Sequence, residues 1–261
     1  MHIPTFRTQD DPGPDFAALL RSQGLGPAAP ESAVSAAGTI PHGTTVVAIR
    51  YADGVVMAGD RRATSGNLIS HRSIEKVFPA DRWSGVAIAG AAGPAMEMVK
   101  LFQLQLEHYE KVEGEALSLE GKANQLSQMV RNHLPAAMQG LAVVPLFAGF
   151  DTRRSVGRLF QYDVTGGRYE EDDYATSGSG GLHAATVIKL GFADGLDRGE
   201  ALDLALRALV TAADEDSATG GPDPVRGIWP VVATIDAAGF TRVDDQELAD
   251  RYAAIAPGGA R

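Results

Sequence analysis

Gly43-Thr44-Thr45-Val46-Val47-Ala48-Ile49 marks the point at which this chain changes character. Before it runs a leader holding six of the 14 prolines, Pro4, Pro12, Pro14, Pro27, Pro30 and Pro41; after it come short β-branched and apolar runs. Thr44 to Val47 are all β-branched, which favours a strand, and Thr44 could simply open one. The same boundary carries a second possibility. A cut between Gly43 and Thr44 would give one residue both a hydroxyl nucleophile and a free α-amine to serve as its base. Residues 1–43 would then be a propeptide and the chain a zymogen.

Outward from a strand over 44–51, a turn at Ala52-Asp53-Gly54 leads to a second apolar run over 55–59, the pattern of a hairpin. Another strand fits 85–89. Met98, Leu101, Phe102, Leu106 and Tyr109 recur at spacings of three and four, which predicts a helix burying that face, and a second helix spans about 119–139. Strands over 142–151, 158–164 and 168–176 follow, with a turn at Thr165-Gly166-Gly167. Helices over 182–192 and 199–213 and a hairpin over 231–243 close the pattern. Strand runs followed by helix runs, twice over, predict an α+β fold: a four-layer αββα sandwich of two antiparallel sheets flanked by helix pairs. In the leader, Phe16-Ala17-Ala18-Leu19-Leu20 could form a helical turn.

Composition narrows the function classes. With 44% hydrophobic residues in 261, the chain can bury a large core. It has no cysteine, which excludes disulfides, thiol nucleophiles and Cys-based zinc sites and makes the cytoplasm the simpler home. The first residues lack a signal-peptide core, and the longest apolar stretch, 141–150, is broken by Pro145 and Gly149, so secretion and membrane spanning are disfavoured. A net charge of −10 with 23 scattered basic residues argues against nucleic-acid binding. His71, His108 and His133, in or beside helical or loop stretches, show no ligand spacing, so no metal or cofactor is expected.

Several residues complement a nucleophilic Thr44. Asp60 stands in Met57-Ala58-Gly59-Asp60-Arg61-Arg62-Ala63-Thr64, and Lys76 in Ile74-Glu75-Lys76-Val77-Phe78. Taken singly, Asp60 could be a surface ion pair and Lys76 a solvated lysine. Together they supply a cation that favours an alkoxide and the carboxylate that a buried lysine requires. Ala89-Gly90-Ala91-Ala92-Gly93 reads as a strand-to-helix turn, either packed tightly on a sheet or presenting backbone N–H groups to an oxyanion. Ser177-Gly178-Ser179-Gly180-Gly181 and Asp214-Glu215-Asp216-Ser217-Ala218-Thr219-Gly220-Gly221 could be phosphate cradles, yet neither matches GxxxxGK[ST].

In their order and spacing these segments resemble the catalytic β subunits of the 20S proteasome, of the actinobacterial type, within the N-terminal-nucleophile hydrolases; the likeness runs from about His42 to Val243. The resemblance implies a propeptide (1–43) and a hydrolase domain (44–261) that acts as a threonine endopeptidase after self-cleavage at Gly43-Thr44. It implies Thr44 as nucleophile, Asp60 and Lys76 tuning it, Gly90 donating to the oxyanion, and Ser179 and Asp216 around the amine. Thr219 stands where many members have Ser, which leaves its role open. Positions matching the family's substrate pocket are Ala63, Ile74, Phe78, Ile88, Ala92 and Met96, with Thr64 beside them, and imply cleavage after apolar side chains. Implied partners are further β subunits in a homo-oligomeric ring, proteasome α-subunit rings, an ATPase unfoldase acting through the α ring, and unfolded protein substrates. Two alternatives of the same fold are a two-tier bacterial threonine peptidase and a noncatalytic ring scaffold subunit.

Overall fold

The computed structural model describes residues 43–255. The expected leader, apart from Gly43, and its helical turn lie outside the described residues. The first sheet takes the order β10-β1-β2-β11-β12, from β1 (Thr45–Tyr51), β2 (Gly54–Gly59), β10 (Tyr174–Gly178), β11 (Val231–Asp236) and β12 (Gly239–Arg242). The second takes the order β5-β6-β7-β8-β9, from β5 (Val77–Asp81), β6 (Ser84–Gly90), β7 (Val143–Asp151), β8 (Val156–Tyr162) and β9 (Arg168–Glu171). A separate hairpin pairs β3 (Ala63–Ser65) with β4 (Leu68–His71). Neighbouring strands pair antiparallel in both five-stranded sheets.

Strand alternation places both faces of each sheet in a core. Val46 and Ala48 of β1, Met57 of β2, Ala87 of β6 and Leu146 of β7 meet between the sheets. Val47, Ile49 and Tyr51 turn the other way, toward α4 (Gly181–Gly191) and α5 (Arg198–Glu215). Val86, Ile88 and Phe147 turn outward from the second sheet toward α1 (Ala92–Glu113) and α2 (Leu119–Asn132). The result is the four-layer αββα sandwich that the strand and helix runs predict. Local chemistry sets the helix starts: Ser118 caps α2 through Gly121 N–H, and Asp197 with Glu200 forms a capping box on α5.

Three expectations change. The helix over 119–139 is α2 followed by a separate short α3 (Leu134–Ala137), because Pro135 lacks the N–H and its ring crowds the preceding turn. The run over 168–176 is two strands in different sheets, β9 and β10, and the chain crosses between the sheets at Asp172-Asp173. On α1 the buried face is Ala95, Met98, Val99, Phe102 and Leu106, while Leu101 and Tyr109 are exposed. The hairpin β3-β4, the strand β5 and the closing helix α6 (Asp245–Ile255) were not expected. Among the described residues no helix is long and apolar enough to cross a membrane.

Candidate active site

The ends of β2, β6 and β10 and the starts of β1 and β5 meet at one mouth of the sandwich, and Thr44 sits there, 4% exposed, just before β1. Its Oγ1 donates to the carbonyl of Gly43 at 2.7 Å. Lys76 Nζ donates to the same carbonyl at 3.4 Å, to Asp60 Oδ1 at 2.6 Å and to Arg62 O at 2.6 Å. Thr44 and Asp60 come from the first-sheet side and Lys76 from the second, so the constellation spans the interface of the two sheets.

Asp60 is fully buried and saturated with donors. Besides Lys76, Oδ1 accepts Thr45 N–H at 2.8 Å, and Oδ2 accepts the N–H groups of Arg62 and Gly220, each at 2.9 Å. The solvated-lysine alternative fails on burial: Lys76 is 4% exposed. That burial pulls its pKa below the ordinary lysine range, against the opposing pull of Asp60. Lys76 is therefore a cation that can give up its proton more readily than a surface lysine.

On the other flank, Thr44 N–H donates to Ser179 Oγ at 3.4 Å, and Ser179 donates in turn to Asp216 Oδ2. Thr219 Oγ1 donates to the same Oδ2 at 2.6 Å, and Ala218 N–H reaches Oδ1 at 3.1 Å. Partial burial pushes the Asp216 carboxyl up, but the donors from Ser179, Thr219 and Ala218 outweigh it and hold the group below its usual range. Thr219 is fully buried, and its Oγ1 lies 2.6 Å from that of Thr45.

Gly90 ends β6 at a φ of +111°, and a Cβ there would stand 2.1 Å from Ala142 O, so only glycine fits. The next residue, Ala91, leads into α1 without a side-chain cap, leaving the positive end of that helix at the mouth. Gly43 is fixed by a close approach: a Cβ would lie 1.9 Å from that of Ala218.

A largely apolar cleft runs from Thr44 along β6 and α1. Ala63, Thr64, Ile74, Ile88, Ala92 and Met96, all among the positions that the resemblance implied, line it with Gly90 and Lys76. Phe78 does not line it. Within β5, Val77 enters the core between the sheets and Phe78 packs toward the α1/α2 layer. Ala95 lines the cleft and was missed, although its position one helical turn after Ala92 was a usable signal. The backbone donors of Arg62 and Gly220 were also missed: the Gly220 N–H comes from 160 residues away and leaves no local pattern, whereas the Arg62 N–H, two residues after Asp60, makes a local Asx-type bond that was a usable signal.

A buried threonine at the mouth of an αββα sandwich, with a buried lysine–carboxylate pair beside it, fits the class of N-terminal-nucleophile hydrolases. The chain belongs to the proteasome subunit family, whose model, described as "Proteasome subunit", matches residues 40–225. It is similar to a proteasome subunit beta of Acidimicrobium ferrooxidans, 62% identical over 94% of this chain and 90% of the relative. A proteasome subunit beta of Streptomyces griseus is 60% identical over 80% of this chain and 75% of its own length. One from Jonesia denitrificans is 56% identical over 83% and 72%. The chain is thus a catalytic proteasome subunit of the β type, a protease component.

Proposed function

We propose that the chain is a threonine endopeptidase precursor that cuts itself between Gly43 and Thr44 and then hydrolyses peptide bonds with Thr44. The observation that carries this is the Gly43 carbonyl, which receives the Thr44 hydroxyl at 2.7 Å and the Lys76 ammonium at 3.4 Å. In the precursor Thr44 nitrogen is an amide and cannot act as a base. Lys76, depressed by burial and touching the same carbonyl, is the titratable group poised to exchange protons as Oγ1 adds to the Gly43 carbon. The C–N bond then breaks, the acyl group passes to Oγ1 as an ester, and water hydrolyses that ester to release residues 1–43.

The freed α-amine has an ordinary pKa of about 7.7 to 8.0, so its neutral form is accessible near neutral pH. It takes the hydroxyl proton, Oγ1 attacks a substrate carbonyl, and Gly90 N–H at the positive end of α1 stabilises the oxyanion. Water cleaves the acyl-enzyme and restores Thr44. Asp60 keeps Lys76 in place, and Ser179, Asp216 and Thr219 hold the nitrogen of Thr44. The apolar cleft favours cleavage after apolar side chains. The family membership supports assembly of the chain into rings with α subunits. The finer proposals are a homo-oligomeric β ring, an ATPase unfoldase feeding unfolded proteins through the α ring, and work in the cytoplasm without cofactor or metal. N-terminal sequencing and intact mass of the assembled protein test the maturation step. A start at Thr44 in the wild type and none in Thr44→Ala is expected; full peptidase activity in unprocessed chain overturns the mechanism.

A further inference from the structure

We propose that the hydroxyl of Thr45, the residue after the nucleophile, is a positioning group for the reaction, acting through Thr219 on the Asp216 carboxylate, which Ser179 links to the Thr44 nitrogen. The inference rests on the threonine-peptidase function above and assigns a part to a side chain outside that mechanism. Thr45 is fully buried, with Oγ1 2.6 Å from Thr219 Oγ1, which lies 2.6 Å from Asp216 Oδ2. A carboxylate only accepts hydrogen bonds, and each hydroxyl has one hydrogen to give. Thr219 therefore gives its hydrogen to Asp216, and Thr45 must be the donor to Thr219. On the other arm Ser179 likewise gives its hydrogen to Asp216 Oδ2 and accepts the Thr44 N–H. The directions of all four bonds are fixed: Thr45 to Thr219 to Asp216, and Thr44 nitrogen to Ser179 to Asp216. Both arms end on one carboxylate oxygen.

In such a chain each upstream donor polarises the next hydroxyl and strengthens its bond. Charge that Thr219 draws toward itself is charge not available to stabilise an ammonium at the Ser179 end, so Thr45 favours the neutral, basic form of the freed α-amine. Thr45 is also clamped through its backbone, its N–H donating to Asp60 Oδ1 at 2.8 Å and its carbonyl accepting Asp60 N–H at 3.1 Å. One residue thus couples the Lys76–Asp60 side of the site to the Asp216–Ser179 side. Space for the hydroxyl pair is reserved by Gly180, where a Cβ would stand 2.3 Å from Thr45 Oγ1 and 2.9 Å from Thr219 Oγ1. The charged groups surrounding this chain are Asp216 at the end of α5, His183 on α4, Asp60 and Arg62 after β2, and Lys76 before β5. All are retained in the variants below, so a shift between variants reports the hydroxyl.

The test uses the assembled enzyme, its leader removed at an inserted site by an exogenous protease, with an apolar fluorogenic peptide assayed from about pH 5 to pH 9. Thr45→Val keeps the branched shape and deletes the hydroxyl. It is expected to lower kcat about 3- to 10-fold, leave KM unchanged, and move the acid limb up by about 0.5 to 1 pH unit, the scale of one hydrogen bond. Thr45→Ser should restore the wild-type limb. A wild-type kcat and limb in Thr45→Val, or a Thr45→Ser as impaired as Thr45→Val, overturns the inference and leaves the Thr44 mechanism standing; an active Thr44→Ala overturns that mechanism. Should Thr45→Val not assemble, Gly180→Ala displaces the pair while keeping both hydroxyls. It must show the same upward shift, and a wild-type profile there refutes the proposal.

Discussion

Replacing Lys76 by alanine removes the cation on which the site depends. Lys76 Nζ contacts Asp60, the Arg62 carbonyl and the Gly43 carbonyl while only 4% exposed. Losing one partner of a buried ion pair costs about 3 to 5 kcal/mol. The low end applies to folding here, because Asp60 keeps the N–H groups of Thr45, Arg62 and Gly220. A marginal domain stable by about 5 to 15 kcal/mol survives that loss. Catalysis suffers more. The uncompensated Asp60 charge raises the pKa of the freed amine and opposes negative charge on Thr44 Oγ1, so both effects act against the attack. The expected fall in kcat is at least about 10²-fold, or about 2.7 kcal/mol of barrier. Lys76→Arg should not rescue it, since a planar guanidinium fork cannot reproduce the three contacts that the compact ammonium makes with Asp60, the Arg62 carbonyl and the Gly43 carbonyl. The assay is steady-state hydrolysis of an apolar fluorogenic peptide by enzyme whose leader was removed by an exogenous protease, which separates catalysis from maturation. Activity of Lys76→Ala within about twofold of wild type, the range of a surface pair, would refute the role of Lys76 and that of Asp60 with it.

Gly43→Ala should leave the precursor uncut, because its Cβ would enter the space of Ala218, while enzyme processed by an exogenous protease keeps its activity; gel mobility and peptide hydrolysis read the two. Ile74→Asp, which puts a charge in the apolar cleft, should lower kcat/KM for apolar peptides at least about 10-fold with little change for the rate of self-cleavage, since burying an unpaired charge is costly. For Asp216 the folded-state pKa is depressed, so the stability it adds is present above the ordinary carboxylate range and lost as pH falls through the folded value. Asp216→Asn should therefore flatten the acid side of the stability–pH curve measured by thermal unfolding.

The layered fold was legible because both sheets bury both faces, which gives unbroken apolar strands, and because α1, α4 and α5 carry apolar positions at helical spacing. Short or half-exposed elements were not legible. The hairpin β3-β4 exposes most of its residues, including Leu68, so it has no apolar signature. Chain reversals were equally silent: the crossing at Asp172-Asp173 looks like the interior of one strand until the pairing partners are known. In the site, Thr44, Asp60, Lys76, Gly90, Ser179 and Asp216 stood out through residue type and order, and the structure brings all six to one mouth. Phe78 was named through the resemblance, as a position matching the family's substrate pocket, and in the structure it packs toward α1 and α2 and does not line the cleft. The Gly220 donor to Asp60 and the Thr45–Thr219 pair are set by folding across 160 and 174 residues of separation, and neither leaves a trace in local sequence.

The division of the site between the two sheets makes the proposed self-cutting conditional on a finished fold. Gly43 and Thr44 arrive with β1, Asp60 with the end of β2, and Lys76 with β5, so the ammonium reaches the Gly43 carbonyl only after the sheets have closed face to face. A nascent or misfolded chain carries the same dipeptide but none of the electrostatic help, and its peptide bond keeps the ordinary inertness of an amide. On that mechanism the proteolytic centre acts as its own quality gate: a molecule that can cut has, by the act of cutting, passed a test of correct folding.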